Sequence, residues 1–341
     1  MHKKEKAQHD PKQAFASRSS SVIAVALPSV YMLVVGLFCI WYNVIPGPEF
    51  LILGFFIYAA YNKWSKRFVK DWIPFLTLFV SYQAMYGLVG AVAGIVHVSE
   101  PLNAELLLFG SVPTVMLQQL YRGNILDYMG AVFYSVHFFA PTIFAFFMWR
   151  TSPKDYWKYT GAFAILTYSA LITFLVYPVA PPWYGVNGVT RVLFDVDKSL
   201  GVPVYRTIYD FIEPNQFAAF PSLHSAFPWL ISLYAFKIGK AKALPILIFP
   251  FGLWFSAVYL GEHYVVDVLG GIAYATLAFL VAEKLIPYIQ LKLSAKQNIS
   301  KPPPPIIRAN SPHHETHTPS VYLMTKKLAL EETGLKKTGG T

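Results

Sequence analysis

One cysteine, Cys39, stands among the 341 residues, inside an apolar run. A disulfide within the chain and a cysteine-based metal centre are both excluded. Charge is scarce too. Asp, Glu, Lys and Arg make up 13% of the chain, against about a quarter in ordinary soluble domains, while 55% is hydrophobic and 17% aromatic. With a mean hydropathy of +0.43, a soluble globule is excluded and a polytopic membrane protein is expected. The net charge of +10 is not a nucleic-acid footprint, because the basic residues sit in connections between apolar runs and in the tails. No internal repeat is visible. The N-terminus does not read as a cleavable signal. Polar residues precede the apolar run Val22 to Ile45, which is too long for a signal core, and no small-residue cleavage site follows.

What is present is long apolar sequence. A helical span needs roughly 17–25 mostly apolar residues. On that measure the chain is an all-α polytopic integral-membrane helical bundle of about eight transmembrane helices. They run over Val22–Ile45, Glu49–Asn62, Trp72–Val98, Asp127–Trp149, Tyr159–Tyr177, Phe220–Phe236, Ala243–Leu260 and Tyr264–Pro287. The second is short and rests on the Pro46-Gly47-Pro48 break and on charge logic. Lys63, Lys66, Arg67 and Lys70 follow it. Arg150, Lys154 and Lys158 follow the fourth span, and Lys237, Lys240 and Lys242 the sixth. Alternate connections are poor in base. The positive-inside rule then makes both tails cytoplasmic and puts the 178–219 loop on the extracytoplasmic or lumenal face.

Four regions follow. Residues 1–21 are a cytoplasmic tail, and 22–126 hold accessory spans with an apolar segment at 99–126 that reads as an interfacial helix. Residues 127–289 are the expected catalytic core, and 290–341 a disordered cytoplasmic tail with Pro302 to Pro305 in a row and a short amphipathic stretch at its end. In that tail His313-His314-Glu315-Thr316-His317 misses the zinc-protease spacing by one residue. The many Trp and Tyr read as membrane belts and packing.

Ionisable groups at membrane boundaries are costly and mark functional sites by default. His224 opens the sixth span. His263 and Asp267, four apart at the start of the last, share one helix face on the same side of the membrane. A carboxylate there would accept from one imidazole nitrogen, fix the tautomer and aim the other nitrogen at a substrate as nucleophile or base. A second histidine would protonate a leaving alkoxide and then deprotonate the acceptor. Taken singly each histidine reads as an interfacial anchor; converging beside Ser222 and Gly261 they read as a site. Such a set is what phosphoryl transfer through a phosphohistidine needs, without metal or organic cofactor.

Pro221-Ser222-Leu223-His224 resembles the P-S-x-H second motif of the type 2 phosphatidic acid phosphatase superfamily. Ser256 through Asp267, followed by Val268-Leu269-Gly270-Gly271, resembles its third motif, S-R-x5-H-x3-D. The resemblance implies His263 as nucleophile, Asp267 as its orienting partner, His224 as general acid and base, and Ser222 as a phosphate ligand. Two departures stand out: the third motif's arginine is Ala257, and no K-x6-R-P motif precedes the second. In its place lies Tyr177-Pro178-Val179-Ala180-Pro181-Pro182-Trp183-Tyr184. That block, with Phe220 through Ser225 and with His137-Phe138 ahead of Pro141, resembles the inositol phosphorylceramide synthase branch. Its members move a phosphoryl head group from phosphatidylinositol to a lipid alcohol. The resemblance runs from about residue 127 to 285.

A phosphodiester transition state needs positive charge around it. The outward candidates are Arg191, near where that branch has an arginine, then Arg122, Lys198 and Arg206. Amides at the start of the sixth helix are a further source. Trp183 and Tyr184 are placed to stack on an inositol ring, His137 either faces the cavity or bonds a neighbouring helix, and His97 reads as interfacial. Three functions stay open. The first is a lipid phosphotransferase, with a phospholipid donor and a lipid alcohol acceptor as partners. The second is a lipid phosphate phosphatase, and the third a non-catalytic lipid-binding protein. The sequence leaves the oligomeric state open.

Overall fold

The computed structural model describes residues 48–92, 95–211 and 216–290, with residues 30, 33, 34 and 37 besides. The expected first span, both tails and the histidine-rich tail segment lie outside the described residues. The chain separates into Met1–Lys292 and Leu293–Thr341, and all that follows concerns the first unit.

The described residues are helical, without strands. In order they form α1 (Pro48–Tyr61), α2 (Ser65–Val92), α3 (Ser99–Phe109), α4 (Pro113–Tyr121), α5 (Asn124–Val136), α6 (Ala140–Thr151) and α7 (Pro153–Val176). Then come the single turn α8 (Pro182–Gly185), α9 (Val192–Leu200), α10 (Val204–Phe211) and α11 (Leu223–Gly239). A 3₁₀ stretch (Lys240–Leu247) leads into α12 (Ile248–Tyr259) and α13 (Val265–Leu280).

Among the described residues three helical stretches are long and apolar enough to cross a bilayer: Pro153–Val176, Leu223–Tyr259 and Val265–Gln290. The bent pair Ile125–Val136 and Ala140–Thr151 makes a fourth if it is one span. The stretch Leu223–Tyr259 folds back on itself. Lys240 turns the backbone at φ 50°, the Trp229 and Trp254 rings meet at 5.7 Å, and Trp254 Nε1 donates to the Ser225 carbonyl at 3.2 Å. It is therefore an antiparallel hairpin. At 14 residues, α1 is about 21 Å long, shorter than an apolar layer of about 30 Å.

Two expectations change. The fourth span, expected to be continuous from Asp127 to Trp149, bends by 48° between α5 and α6. Pro141 in the first turn of α6 has no N–H to continue the ladder, so the chain restarts there. The single interfacial helix expected in 99–126 is instead two, α3 and α4, parted by Gly110 at φ 69° and by Pro113 at the start of α4.

One aromatic core joins α1, α2, α6 and α7. Phe55 stacks on Phe146 at 4.1 Å, Phe68 on Trp72 at 5.0 Å, and Trp149 donates to Asp71 at 2.8 Å. Near it the basic connections meet. Arg150 lies 3.9 Å over Trp64, and Arg67 lies 5.0 Å over Trp149. Lys237 bridges Asp155 and Glu283, and Lys158 reaches Glu283 at 2.8 Å. The Lys237 and Glu283 contacts sit at the C-terminal end of α11 and beyond the end of α13. His224 and His263 lie at the opposite ends of the same two helices.

Candidate active site

The site forms where α11 and α13 come closest. Gly271 permits it: a Cβ there would stand 2.1 Å from Ser225 Oγ and 2.2 Å from the Ser222 carbonyl. Small residues let helix backbones approach in membranes. Ser225 Oγ donates to the Ser222 and Val268 carbonyls at 2.9 and 3.0 Å, and the Ser222 N–H donates to the Asp267 carbonyl at 3.0 Å. The two histidine motifs are thus stitched together through backbone.

His224 Nδ1 lies 2.9 Å from His263 Nε2. On its other side His263 Nδ1 is 2.9 Å from the Ala219 carbonyl. A carbonyl only accepts, so Nδ1 carries the proton and Nε2 keeps its lone pair facing His224. The Ala219 carbonyl is itself fixed by a short parallel bridge. Val179 donates to Phe217 at 2.8 Å, Ala219 to Val179 at 3.2 Å, and Ala180 to His97 at 3.0 Å. The Tyr-Pro-Val-Ala-Pro-Pro-Trp block therefore serves as backbone scaffold for the carbonyl that orients His263. His97 is part of that bridge, stacks on Tyr177 at 4.0 Å and pairs with Glu100 at 2.7 Å.

Asp267 stands beside His263, one turn on, but makes no direct hydrogen bond to its ring. Its Oδ2 lies 3.7 Å from His263 Nδ1, beyond hydrogen-bond reach. It accepts instead from the Tyr264 N–H at 2.8 Å, within the capping box of α13. Tautomer control passes to the Ala219 carbonyl, and Asp267 remains a fully buried carboxyl close enough to balance positive charge on His263. Ser222 is likewise a cap. Its Oγ accepts from the Ser225 N–H at 3.3 Å, and the residue is fully buried.

His137 does join the cluster. Its ring centroid is 3.7 Å from that of His224, and its Nδ1–H donates to the Tyr134 carbonyl at 2.8 Å. Tyr134 stacks on the other side of His224 at 4.0 Å. Sequence reasoning missed Tyr134, which carried no motif.

Both leading cations are already engaged by carboxylates. Arg191 makes a bidentate pair with Glu262, at 2.8 and 3.1 Å, with its guanidinium 4.4 Å over Trp183 and 4.6 Å over Phe194. Arg122 reaches Asp195 at 3.0 Å, Asp127 at 3.6 Å and Thr190 Oγ1. Burial pushes Asp195 up, but its bonds from Lys198 and Arg122 outweigh this and hold its carboxyl below the usual range. Lys198 pairs with the same Asp195, and Arg206 lies over Phe194 at 5.0 Å. Trp183 stacks on Arg191, while Tyr184 stands exposed against Phe217. Ala257, where the third motif has arginine, is fully buried, and its carbonyl accepts the Glu262 and His263 amides at 3.1 Å.

Two further residues hold the His263 turn, and neither was singled out in the sequence. Gln118 on α4 donates to the Thr190 and Tyr259 carbonyls at 3.0 and 2.9 Å and accepts from the Thr190 N–H at 3.0 Å. Glu105 on α3 is fully buried and accepts from the Val266 N–H at 3.1 Å. Burial raises its carboxyl to about 7, with bonds from the α13 amides pulling the other way and the Asp267 carboxyl adding to the rise. A lone carboxylate before Leu106-Leu107-Leu108 was the available signal for it.

A model of the PAP2 superfamily matches residues 102–281. Among curated proteins, the phosphoinositol dihydroceramide synthase of Bacteroides thetaiotaomicron is 28% identical over 239 residues, 64% of this chain and 78% of that protein. The catalytic subunit of inositol phosphorylceramide synthase from Schizosaccharomyces pombe is 28% identical over 54% of this chain and 47% of its own length. The inositol phosphorylceramide synthase of Candida albicans is 28% identical over 49% of this chain and 38% of its own. The matched region thus spans less than half of either of these two fungal proteins. No solved structure matches the chain at a significant level. The family match takes in both histidine motifs and more than half of the sequence, and the chain belongs to the PAP2 superfamily.

Proposed function

We propose that this protein is an integral-membrane lipid phosphotransferase that moves a phosphoinositol-type head group from a phospholipid to a ceramide-type lipid alcohol, through a phosphohistidine on His263. The observation that carries the reading is the facing pair His224 Nδ1 and His263 Nε2, with the His263 tautomer set from behind by the Ala219 carbonyl. The names of the relatives supply the substrate class.

In the first step His263 Nε2 attacks phosphorus as the rings part to admit it. The P–N bond forms, the bond to the diacylglycerol oxygen breaks, and protonated His224 gives that oxygen its proton. The charge left on the His263 ring faces Asp267. In the second step the acceptor hydroxyl gives its proton to His224 and attacks phosphorus, and the P–N bond breaks. Neither step calls for a metal or organic cofactor. The arrangement proposed around this site has about eight spans, cytoplasmic tails and histidines at the extracytoplasmic or lumenal end. It is supported by the grouping of basic connections at the opposite end of α11 and α13.

The test uses purified protein in mixed micelles with head-group-labelled phosphatidylinositol and ceramide, beside a His263→Ala variant. Label moves into a new lipid with wild type only, and without acceptor an acid-labile label stays on the protein. Release of water-soluble inositol phosphate at the expense of lipid product would make the enzyme a hydrolase. Equal activity in His263→Ala would overturn the mechanism.

A further inference from the structure

We propose that Glu105 is a positioning residue for His263: its buried carboxyl, bonded to the Val266 amide beside Asp267, fixes the first turn of α13 and so the turn that presents His263. The inference rests on the transferase reading for its kinetic arm only.

Glu105 lies on the inner face of α3, whose other face, Leu107 and Leu108, is exposed and apolar. The residue is 0% exposed, at a place where an aliphatic side chain would bury at no polar cost. Oε1 accepts from the Val266 N–H at 3.1 Å, in the first turn of α13. Oε2 is buried with no hydrogen-bond partner among the described residues, and so is Asp267 Oδ1. Two carboxyls thus share one helix N-terminus, each with one oxygen on a backbone amide and one without a partner. Two buried carboxylates at one site cannot both ionise cheaply, and a proton on Glu105 removes the repulsion while leaving Oε1 to hold the Val266 amide.

The groups facing Glu105 are Asp267 and Tyr264, with the Val265 and Val266 amides. Glu100, on its own helix, is engaged by His97. Because the folded protein holds the Glu105 proton more tightly than the unfolded chain, this contribution to stability is complete below the ordinary glutamate range. It is lost as pH rises through about 7. Ionised Glu105 loads a second charge beside Asp267 and disturbs the turn that carries His263.

The experiment compares wild type, Glu105→Gln and Glu105→Ala in detergent between about pH 5 and 9. It reads the heat-unfolding midpoint and the kcat and KM for head-group transfer from phosphatidylinositol to ceramide. Wild-type midpoint and kcat both fall as pH rises through about 7. Glu105→Gln, the shape of the protonated acid, loses this dependence in both readouts. Glu105→Ala lowers kcat about tenfold or more with KM within about twofold, as expected when a group is misplaced and not removed. A Glu105→Gln midpoint that tracks wild type at every pH would overturn the proposal, as would full kcat in Glu105→Ala. If Glu105→Ala does not fold, Glu105→Gln decides alone. Wild type without turnover at any pH sinks the transferase reading, while the unfolding midpoints still judge Glu105.

Discussion

Arg191 was the leading phosphate cation in the sequence, and the structure gives its charge to Glu262. The side chains are 8% and 5% exposed, and the guanidinium lies between Trp183 and Phe194. Removing one partner of a buried pair leaves an unpaired charge and costs about 3–5 kcal/mol, of which cation–π contacts on the arginine account for about 1. Glu262→Gln and Arg191→Met should each destabilise by about 3 kcal/mol or more. Removing both charges costs far less, about 1–2 kcal/mol, so the coupling energy is about 4 kcal/mol or more. At roughly 2–4 °C per kcal/mol, each single variant drops the unfolding midpoint by about 6–12 °C, and the double variant recovers most of it. Glu262 adjoins His263, so activity should return with stability in the double variant. The assay is a double-mutant cycle on heat unfolding and on head-group transfer. Single variants that each cost under about 1 kcal/mol would refute the buried-pair argument. A double variant that regains stability but keeps the low kcat of Arg191→Met would show that the guanidinium acts on phosphate.

Other outcomes follow from the same turn. Gln118→Ala strands the Tyr259 and Thr190 backbone groups and should cost about 1–3 kcal/mol with a fall in kcat, checked by unfolding and transfer kinetics. Gly261→Ala forces a side chain onto φ 82° with its Cβ 2.9 Å from the Thr190 carbonyl, and should lose about 1–3 kcal/mol and most activity. Ser222→Ala should cost about 1 kcal/mol of stability through the lost cap; a kcat loss of about a hundredfold at unchanged stability would restore it as a phosphate ligand.

The histidine motifs were legible because each pairs an ionisable residue with the end of an apolar run. Their contact was not, since it depends on how closely Gly271 lets α13 approach Ser222, and spacing along the chain carries no distance between helices. Pro141 was visible, but an apolar run hides a bend in mid-span. Arg191 and Arg122 were visible as cations in the segments flanking the histidine motifs. Their closest partners, Glu262 for Arg191 and Asp195 for Arg122, stand 71 and 73 residues away in sequence, so the cancellation could not be seen. Glu105 and Gln118 sit in a segment read as peripheral. Their side chains reach the α13 cap and the Tyr259–Gly261 turn only because α3 and α4 fold under the histidine end.

Orientation of His263 by a carbonyl has a chemical consequence that orientation by Asp267 would not have. A carboxylate bonded to Nδ1 raises ring basicity and can take the proton. A peptide carbonyl fixes the same tautomer with no full negative charge and does not take the proton. Nε2 is then left as the lone-pair nitrogen, with no second negative charge bonded to the ring to face an anionic phosphodiester. Under the proposed mechanism, Asp267, held at 3.7 Å by its own bond to the Tyr264 amide, acts when the ring turns cationic on forming the P–N bond. Stabilisation that grows with the developing charge lowers the barrier, whereas equal stabilisation before and after would not. In the proposed mechanism, tautomer control by Ala219 and charge control by Asp267 are separate, and the phosphorylated histidine is favoured although Arg191 and Arg122 are paired with carboxylates.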